Sequence, residues 1–459
     1  MSIPRPLAPP PVEAAARPNG RFGVAIGPRL LLLALAGSAW LIPALWNSRF
    51  FYALLIWDGL LVLAFVVDWW RLPKPRELTV RREWETSLAI GSPARVRLSV
   101  KNNSRIDVDL AVTDHLPPSR WHDLKARQMM ATAETEASME ENFTAEERGD
   151  LAAGQTYVRY RSAFNMAERW AIADLQQTVR VYPSFEHARR HSLFLARSRH
   201  LELQMRLMRL RGIGSDFESL RDYRERDELR NVCWTASARR GKLVAKTFQA
   251  ERSQAVWMVL DCGRLMRTRT EGYSKLDRAV DASLCLTQLA LYSGDRIGLL
   301  AYGRAIQQRV LPGRGATQLR HIVEQLAVVR AEAPEADHLR AASTLLSLQK
   351  QRGLVVWISD LAETAMTPEV VEAAGQLLSR HLVLFIVIAQ PELKAAAVKS
   401  PESAEGMYKT VAAQEVVYRR EILLGRLREH GALCLEVAPH QLSAAVLNQY
   451  LSIKERNLL

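Results

Sequence analysis

Two groups of residues in this chain have types and positions suited to chemistry. The first is a pair of acids, each closing a buried-strand pattern: Asp261 ends VWMVLD (256–261) and Asp360 ends LVVWISD (354–360). Binding sites in open parallel sheets lie beyond the carboxyl ends of the strands, which is where both acids fall. The second is the charge-dense run GIGSDFESLRDYRERDELRNVCWTASARRGKLVAK (212–246), with Ser215, Arg221, Tyr223, Asp227, Arg230, Trp234, Ser237 and Arg239. Arg221 and Arg230 suit bidentate contacts, and Tyr223 and Trp234 suit anchoring, so the run reads as a partner-docking surface. The alternation of Arg221, Asp222, Arg224, Glu225, Arg226, Asp227, Glu228 and Arg230 also fits a solvated helix laced with i,i+3 and i,i+4 pairs.

Other catalytic chemistry finds little support. Cys233, Cys262, Cys285 and Cys434 form no CxxC and have no histidine at metal spacing, as expected of buried thiols in a reducing compartment. His187 and His191 share i,i+4 spacing without a third ligand nearby. Ser237 has no histidine–acid pair to activate it. No GxGxxG or GxxxxGK[ST] follows the first strand of the α/β region, which argues against dinucleotide and P-loop chemistry. The sequence reads as that of a non-enzyme.

The elements that must position these residues follow from length and pattern. A chain of 459 residues exceeds one ordinary domain, and 48% hydrophobic with 24% charged residues is a globular composition. The net charge of +13 calls for an anionic neighbour, either nucleic acid or the inner face of a membrane. Residues 1–28 are Pro- and Ala-rich and read as a disordered tail. Within 29–70, two nearly uncharged runs, 30–46 and 50–67, predict a helical transmembrane hairpin. A signal peptide fits poorly, since no small-residue cleavage site follows. Arginines and lysines flank both sides (Arg17, Arg21, Arg29; Arg71, Lys74, Arg76, Arg81, Arg82), predicting a two-pass membrane protein with both termini cytoplasmic. Asp58, inside the second run, reads as facing its partner helix or held protonated.

Residues 76–184 show short β alternations with turn signals, predicting a small β-sandwich. Residues 185–254 form an Arg-rich linker, with an amphipathic helix expected over 187–212. From 255 to 459, apolar strands alternate with helices at 277–293, 316–330, 337–351, 367–380, about 412–430 and from about 440. That alternation predicts a doubly wound parallel sheet.

The run SDFESLRDYRERDELRNVCWTASARRG and the ending HGALCLEVAPHQLSAAVLNQYLSIKERNLL resemble the bacterial domain-of-unknown-function family fifty-eight. The α/β pattern, with its strand-end Asp261 and Ser359-Asp360, resembles a von Willebrand factor type A domain. The resemblance implies a membrane-anchored protein that works beside a MoxR-type AAA+ ATPase on the assembly or maturation of client complexes. It also implies a metal site. A type A domain holds Mg²⁺ with Asp-x-Ser-x-Ser, a Thr and a second Asp, and leaves one coordination position for a partner's carboxylate. Here Asp261 and Asp360 fill the acidic positions, but Gly263 and Leu265 replace the serines, and Arg264 adds a positive charge. Thr317 is a weak candidate for the missing hydroxyl. The carboxylates are therefore expected to pair with Arg264 or cap helices, with no cofactor beyond Mg²⁺ to consider. The favoured function is a membrane-tethered protein-interaction module. The alternatives are an Mg²⁺-dependent adhesion-type receptor using Asp261 and Asp360, and a basic nucleic-acid-binding surface in 187–246, where aromatic residues for stacking are sparse.

Overall fold

The structure is a computed structural model that describes residues 8–20, 23–47, 49–116, 126–162, 164–184, 216–223, 232–249, 254–270, 272–361, 369–401, 403–456 and 458. The chain forms two compact units, Arg5–Tyr182 and Pro183–Leu459.

In the first unit, antiparallel strands Leu78–Trp84, Pro93–Asn102 and Glu136–Thr144 form one sheet. A second holds Val108–Asp114, Arg127–Ala131, Thr156–Arg161 and Ala167–Ala173. Alternation explains the core. Leu78, Val80, Arg82 and Trp84 point inward from one strand, with Thr79, Arg81 and Glu83 between them less buried. Leu78 and Val80 pack with Leu98, Val100, Leu110, Val112, Val158 and Tyr160.

The Pro-rich start departs from the expected disordered tail over 1–28. Val12–Ala15 pairs with Leu78–Trp84, and Arg17–Pro18 and Val24–Ile26 pair with Ala167–Ala173, each at a sheet edge. An open edge offers unpaired backbone groups, and a proline-biased extended segment can cover them without adopting another conformation.

The two apolar runs are also unequal. Arg49–Arg71 is one helix of 23 residues, about 35 Å long and sufficient for a hydrocarbon layer. Its apolar window has mean hydropathy 2.3 and is unburied, and it is the one helix among the described residues long and apolar enough to cross a membrane. The first run is divided into Pro28–Gly37, a 3₁₀ turn at Ser38–Trp40 and Leu41–Ala44. Ser38 Oγ donates to the Leu35 carbonyl at 2.6 Å, which competes with the helical ladder, and Pro43 has no N–H to continue it. The short helix lies against the long one at Gly37, where any Cβ would fall 2.3 Å from the Trp57 ring. Trp57 Nε1 donates to the Leu33 carbonyl at 3.1 Å. Asp58 is exposed on the long helix.

The second unit contains a six-stranded sheet whose strands are β1 (Ala255–Asp261), β2 (Arg296–Tyr302), β3 (Ile306–Gly313), β4 (Leu354–Ser359), β5 (Leu382–Ile388) and β6 (Leu433–Val437). Their order is β3-β2-β1-β4-β5-β6, parallel except for the antiparallel edge strand β3. The helices are α1 (Lys275–Tyr292), α2 (Gly315–Val328), α3 (His338–Leu348), α4 (Glu369–Leu378), α5 (Pro391–Val398), α6 (Ala404–Glu429) and α7 (Leu442–Glu455). Ala341, Leu345, Val370, Leu377, Leu423 and Leu427 of α3, α4 and α6 cover one face, over Trp257, Trp357 and Phe385. The continuous apolar runs of β1, β4 and β5 are what a sheet buried on both faces requires. Ahead of the sheet, strand Asp216–Asp222 pairs with Val244–Gln249, and helix Trp234–Arg240 lies between them in sequence. The helix anticipated over 187–212 lies outside the described residues.

Candidate functional site

The strand order reverses direction between β1 and β4, and the crevice outside their carboxyl ends is the place such sheets use for ligands. Asp261 closes β1 and Asp360 follows β4, so the fold brings the two sequence-predicted acids to this crevice. Both are buried, at 4% and 1% exposure. They have different partners.

Asp261 is held by neutral groups. Its Oδ1 accepts from the Gly263 amide at 2.7 Å and its Oδ2 from the Ser359 hydroxyl at 2.6 Å. Burial pushes its carboxyl above the usual carboxylate range, against the opposing pull of His338 and these two hydrogen bonds. Beside it, the Trp357 indole donates to the Tyr302 hydroxyl at 2.6 Å, and that hydroxyl lies 2.9 Å from His338 Nδ1. Burial keeps the His338 imidazole below its ordinary value, which fits a neutral ring accepting from Tyr302.

Asp360 is held by cations. Lys275 Nζ donates to its Oδ2, Arg420 Nη2 to its Oδ1 at 2.7 Å, and Gln390 reaches Oδ2 at 3.4 Å. Lys275 is fully buried and Arg420 nearly so. Arg420 Nη1 also reaches Glu436 at 3.5 Å, and Lys394 binds the same Glu436 oxygen at 3.1 Å, while Arg420 Nε is buried with no partner among the described residues. Burial lowers the Lys275 amine below its usual value, although Asp360 opposes the shift. The local sequence explains how Lys275 gets there. Ser274 and Asp277 form a capping box that starts α1 immediately before it, so its side chain leaves from the first helical position toward β4.

This arrangement decides what the two acids can bind. Both Asp360 oxygens carry cationic donors. Position 263 has no space for a serine, since a Cβ there would lie 2.9 Å from the Ala336 amide and 3.0 Å from its Cβ. Arg264 is exposed and pairs with Glu335 at 3.6 Å, so the ion partners of Asp360 are Lys275 and Arg420 rather than the anticipated Arg264. Thr317 is exposed on α2. Among the described residues no group of three or more His, Cys, Asp or Glu side chains is placed to hold a metal ion. The Lys275 and Arg420 donors occupy the Asp360 oxygens that a cation would otherwise contact.

The docking residues anticipated in 212–246 are only partly described. Ser215, Asp227 and Arg230 lie outside the described residues. Arg221 pairs with Ala245 in the two-stranded sheet, its side chain being outside the description. The Tyr223 amide donates to the Leu243 carbonyl at 3.0 Å. Trp234 is 67% exposed at the start of its helix, and Arg239 is exposed near its end. Ser237 is buried. Its hydroxyl donates to the Cys233 carbonyl and accepts from the Val244 amide, both at 2.9 Å, and so ties the helix to the strand.

Sequence reading missed Lys275, Gln390 and Arg420, and it missed a second feature of the same edge. From Gln390, next to Asp360, α5 and the first half of α6 form an arm joined by Gln414 Nε2 donating to the Ala397 carbonyl at 2.9 Å. Between 404 and 419, Ala413 is the one buried residue, while Val398, Met407, Tyr408, Val411 and Tyr418 are each more than half exposed. Met407, Val411, Tyr418 and Ile422 share one helix face by their 4-7-4 spacing. One sequence signal did exist for Lys275, since a cation in the first turn of a helix opposes the dipole and needs a reason to be there.

Comparison with known proteins matches residues 219–421 to a family described as "Protein of unknown function DUF58". An uncharacterised protein of Mycobacterium tuberculosis is 28% identical over 183 residues, covering 39% of this chain and 56% of its own. The uncharacterised Bacillus subtilis protein YeaD is 24% identical over 191 residues, covering 41% of this chain and 44% of its own. The chain thus spans about half the length of these curated relatives. Among solved structures, the conserved hypothetical protein BatB of Bacteroides thetaiotaomicron aligns with 45% of this chain at 14% identity and a TM-score of 0.30, over all of its own length.

Proposed function

We propose that this chain is a membrane-tethered, non-enzymatic protein-interaction module whose α/β unit presents a metal-free recognition edge. The observation that carries the reading is the ion cluster on Asp360. In a metal-dependent adhesion site this acid faces an ion that a partner's carboxylate completes. Here Lys275 and Arg420 supply the positive charge from within the chain, and binding passes to the neighbouring apolar arm. Val398, Met407, Tyr408, Val411 and Tyr418 have the aromatic and methionine character of interface centres.

The helix Arg49–Arg71 supports the tether. Arg29 and Arg71 stand at one end of the paired apolar segments, which supports a two-pass arrangement with both flanks on the positive, cytoplasmic side. The type A likeness and the family resemblance suggest the partner class, a MoxR-type AAA+ ATPase and its clients, at the bacterial inner membrane. The arginine-rich 187–246 region remains the basis of the nucleic-acid alternative, and Mg²⁺-dependent adhesion that of the other.

Affinity capture from native membranes tests the reading. The parent chain should retain an ATPase, and Tyr408→Lys with Val411→Lys should lose it without loss of fold. Equal recovery with both chains would remove the arm from the interface. In calorimetry Mg²⁺ should give no binding heat, and heat that disappears in Asp261→Ala would restore the adhesion-type alternative.

A further inference from the structure

The stretch 164–166 in the first unit is fixed by both apolar helices. Asp68, in the last turn of Arg49–Arg71, is 2% exposed, and its Oδ2 accepts from the amides of Met166 and Ala167 at 3.1 and 2.9 Å. Gly27, which caps the start of the short helix, donates its amide to the Met166 carbonyl at 2.8 Å. A Cβ on Gly27 would sit 2.2 Å from the Asn165 carbonyl oxygen, so only glycine permits this approach. Arg29 Nη1 reaches the Phe164 carbonyl at 3.4 Å, and the Arg71 guanidinium lies 5.9 Å from the Phe164 ring centre. Two helix ends, a buried carboxylate and two arginines therefore hold one short loop.

That loop presents an apolar group to the outside. Phe164 is 52% exposed, and Trp70, next to Arg71 in the chain, and Ile26, next to Gly27, are exposed at 77% and 55%. The exposed charges of the adjoining stretch are Arg71, Lys74 and Arg76, all cationic. Asp68, the nearby acid, is turned inward to the loop amides. An aromatic ring flanked by arginines at the end of an apolar helix is the composition of the membrane–water interface, where rings lie among headgroups and guanidinium groups meet lipid phosphates.

We infer that residues 164–166 form a membrane-contact site: Phe164 enters the interfacial layer, and Arg29 and Arg71 beside it bind the headgroup phosphates of anionic lipids. The inference rests on the membrane reading above and adds to it. The β-sandwich is held against the bilayer surface at this loop instead of hanging from the helix by a free linker. Asp68 is the positioning residue, fixing the loop through its backbone amides.

The test uses the full chain in nanodiscs of phosphatidylcholine, with or without phosphatidylglycerol, whose acyl chains carry bromine near the headgroup. Tryptophan emission is compared among the parent, Phe164→Trp and Tyr157→Trp. Residue 157 is exposed on the same domain, about 13 Å along its strand from Arg161. Phe164→Trp should add emission that bromine quenches, more strongly with phosphatidylglycerol, and Tyr157→Trp should add emission that it does not. Changing Arg29 and Arg71 to glutamine should abolish the phosphatidylglycerol increment, and Asp68→Asn should reduce quenching at position 164. If the helix tryptophans are quenched while position 164 behaves like position 157, the loop contact is wrong and the membrane reading stands. If no tryptophan is quenched, both fall.

Discussion

Each unit of this protein buries an arginine against an aspartate, and the two pairs are built differently. In the sandwich, Arg82 takes an inward position in an otherwise apolar strand. All three nitrogens of its guanidinium are engaged: Nε with Asp114 at 2.8 Å, Nη1 with the Leu175 carbonyl at 2.8 Å, and Nη2 with Asp114 and the Gly154 carbonyl. Thr156 Oγ1 donates to the same Asp114 at 2.6 Å. One cation meets one anion, and the neighbouring carbonyls and hydroxyl complete the shell. At the strand ends of the α/β unit, one buried carboxylate holds two cations, and Arg420 shares itself with Glu436 while its Nε has no partner among the described residues. Burying charge is costly unless the pair is closed and hydrogen-bonded, so a completed pair marks a structural fastening. An uneven cluster at a strand-end crevice marks a place shaped by something other than stability.

The largest expected effect breaks the sandwich pair. Arg82→Met leaves Asp114 buried without a counter-charge and should cost about 3–5 kcal/mol, read from amide hydrogen exchange of the sandwich core strands. Lys275→Met should cost the α/β unit no more than about 1–2 kcal/mol, because Arg420 still neutralises Asp360. Equal losses would erase the distinction between the two clusters.

Acidity sharpens the comparison at the next level. His338 is held neutral by burial, so its folded pKa lies below the ordinary imidazole value. As pH falls below that ordinary value, the unfolded chain takes up a proton that the folded chain refuses. The α/β unit should therefore lose stability by at most about 1.4 kcal/mol per pH unit, and His338→Gln should flatten the slope. Asp261 acts with the opposite sign. Its raised carboxyl binds a proton more tightly in the folded than in the unfolded chain, so stability from this group falls as pH rises through the window above the ordinary carboxylate value. The Arg82–Asp114 pair contains no imidazole, and sandwich exchange rates corrected for intrinsic pH dependence should lack the His338 slope.

The smallest effect is on the arm. Met407→Ser and Tyr408→Lys touch exposed positions and should change exchange-derived stability by no more than about 0.5 kcal/mol. A large loss would mean that this face is packed in the folded chain and is not a binding surface.

Much of the α/β unit is legible because its strands are short, continuous apolar runs that alternate with amphipathic helices. The positions of Asp261 and Asp360 follow from those runs alone. The edge strand β3 escapes this reading because its residues are only partly buried and IQQRVLPG lacks an apolar run. The arm escapes because a helix with exposed apolar residues on one side and few buried ones on the other has no single apolar stripe.

The sequence by itself determined the apolar runs near the start, the order of β-rich then mixed α/β segments and the strand-end acids, since local periodicity and turn chemistry encode them. Tertiary structure decided which cations reach Asp360, because Lys275 and Arg420 are separated from it by 85 and 60 residues and meet only through the helix packing. It also decided that the Pro-rich start closes sheet edges, and that Asp68 holds the Phe164 loop. Those contacts depend on where elements distant in the chain come to lie, and no local pattern carries that information.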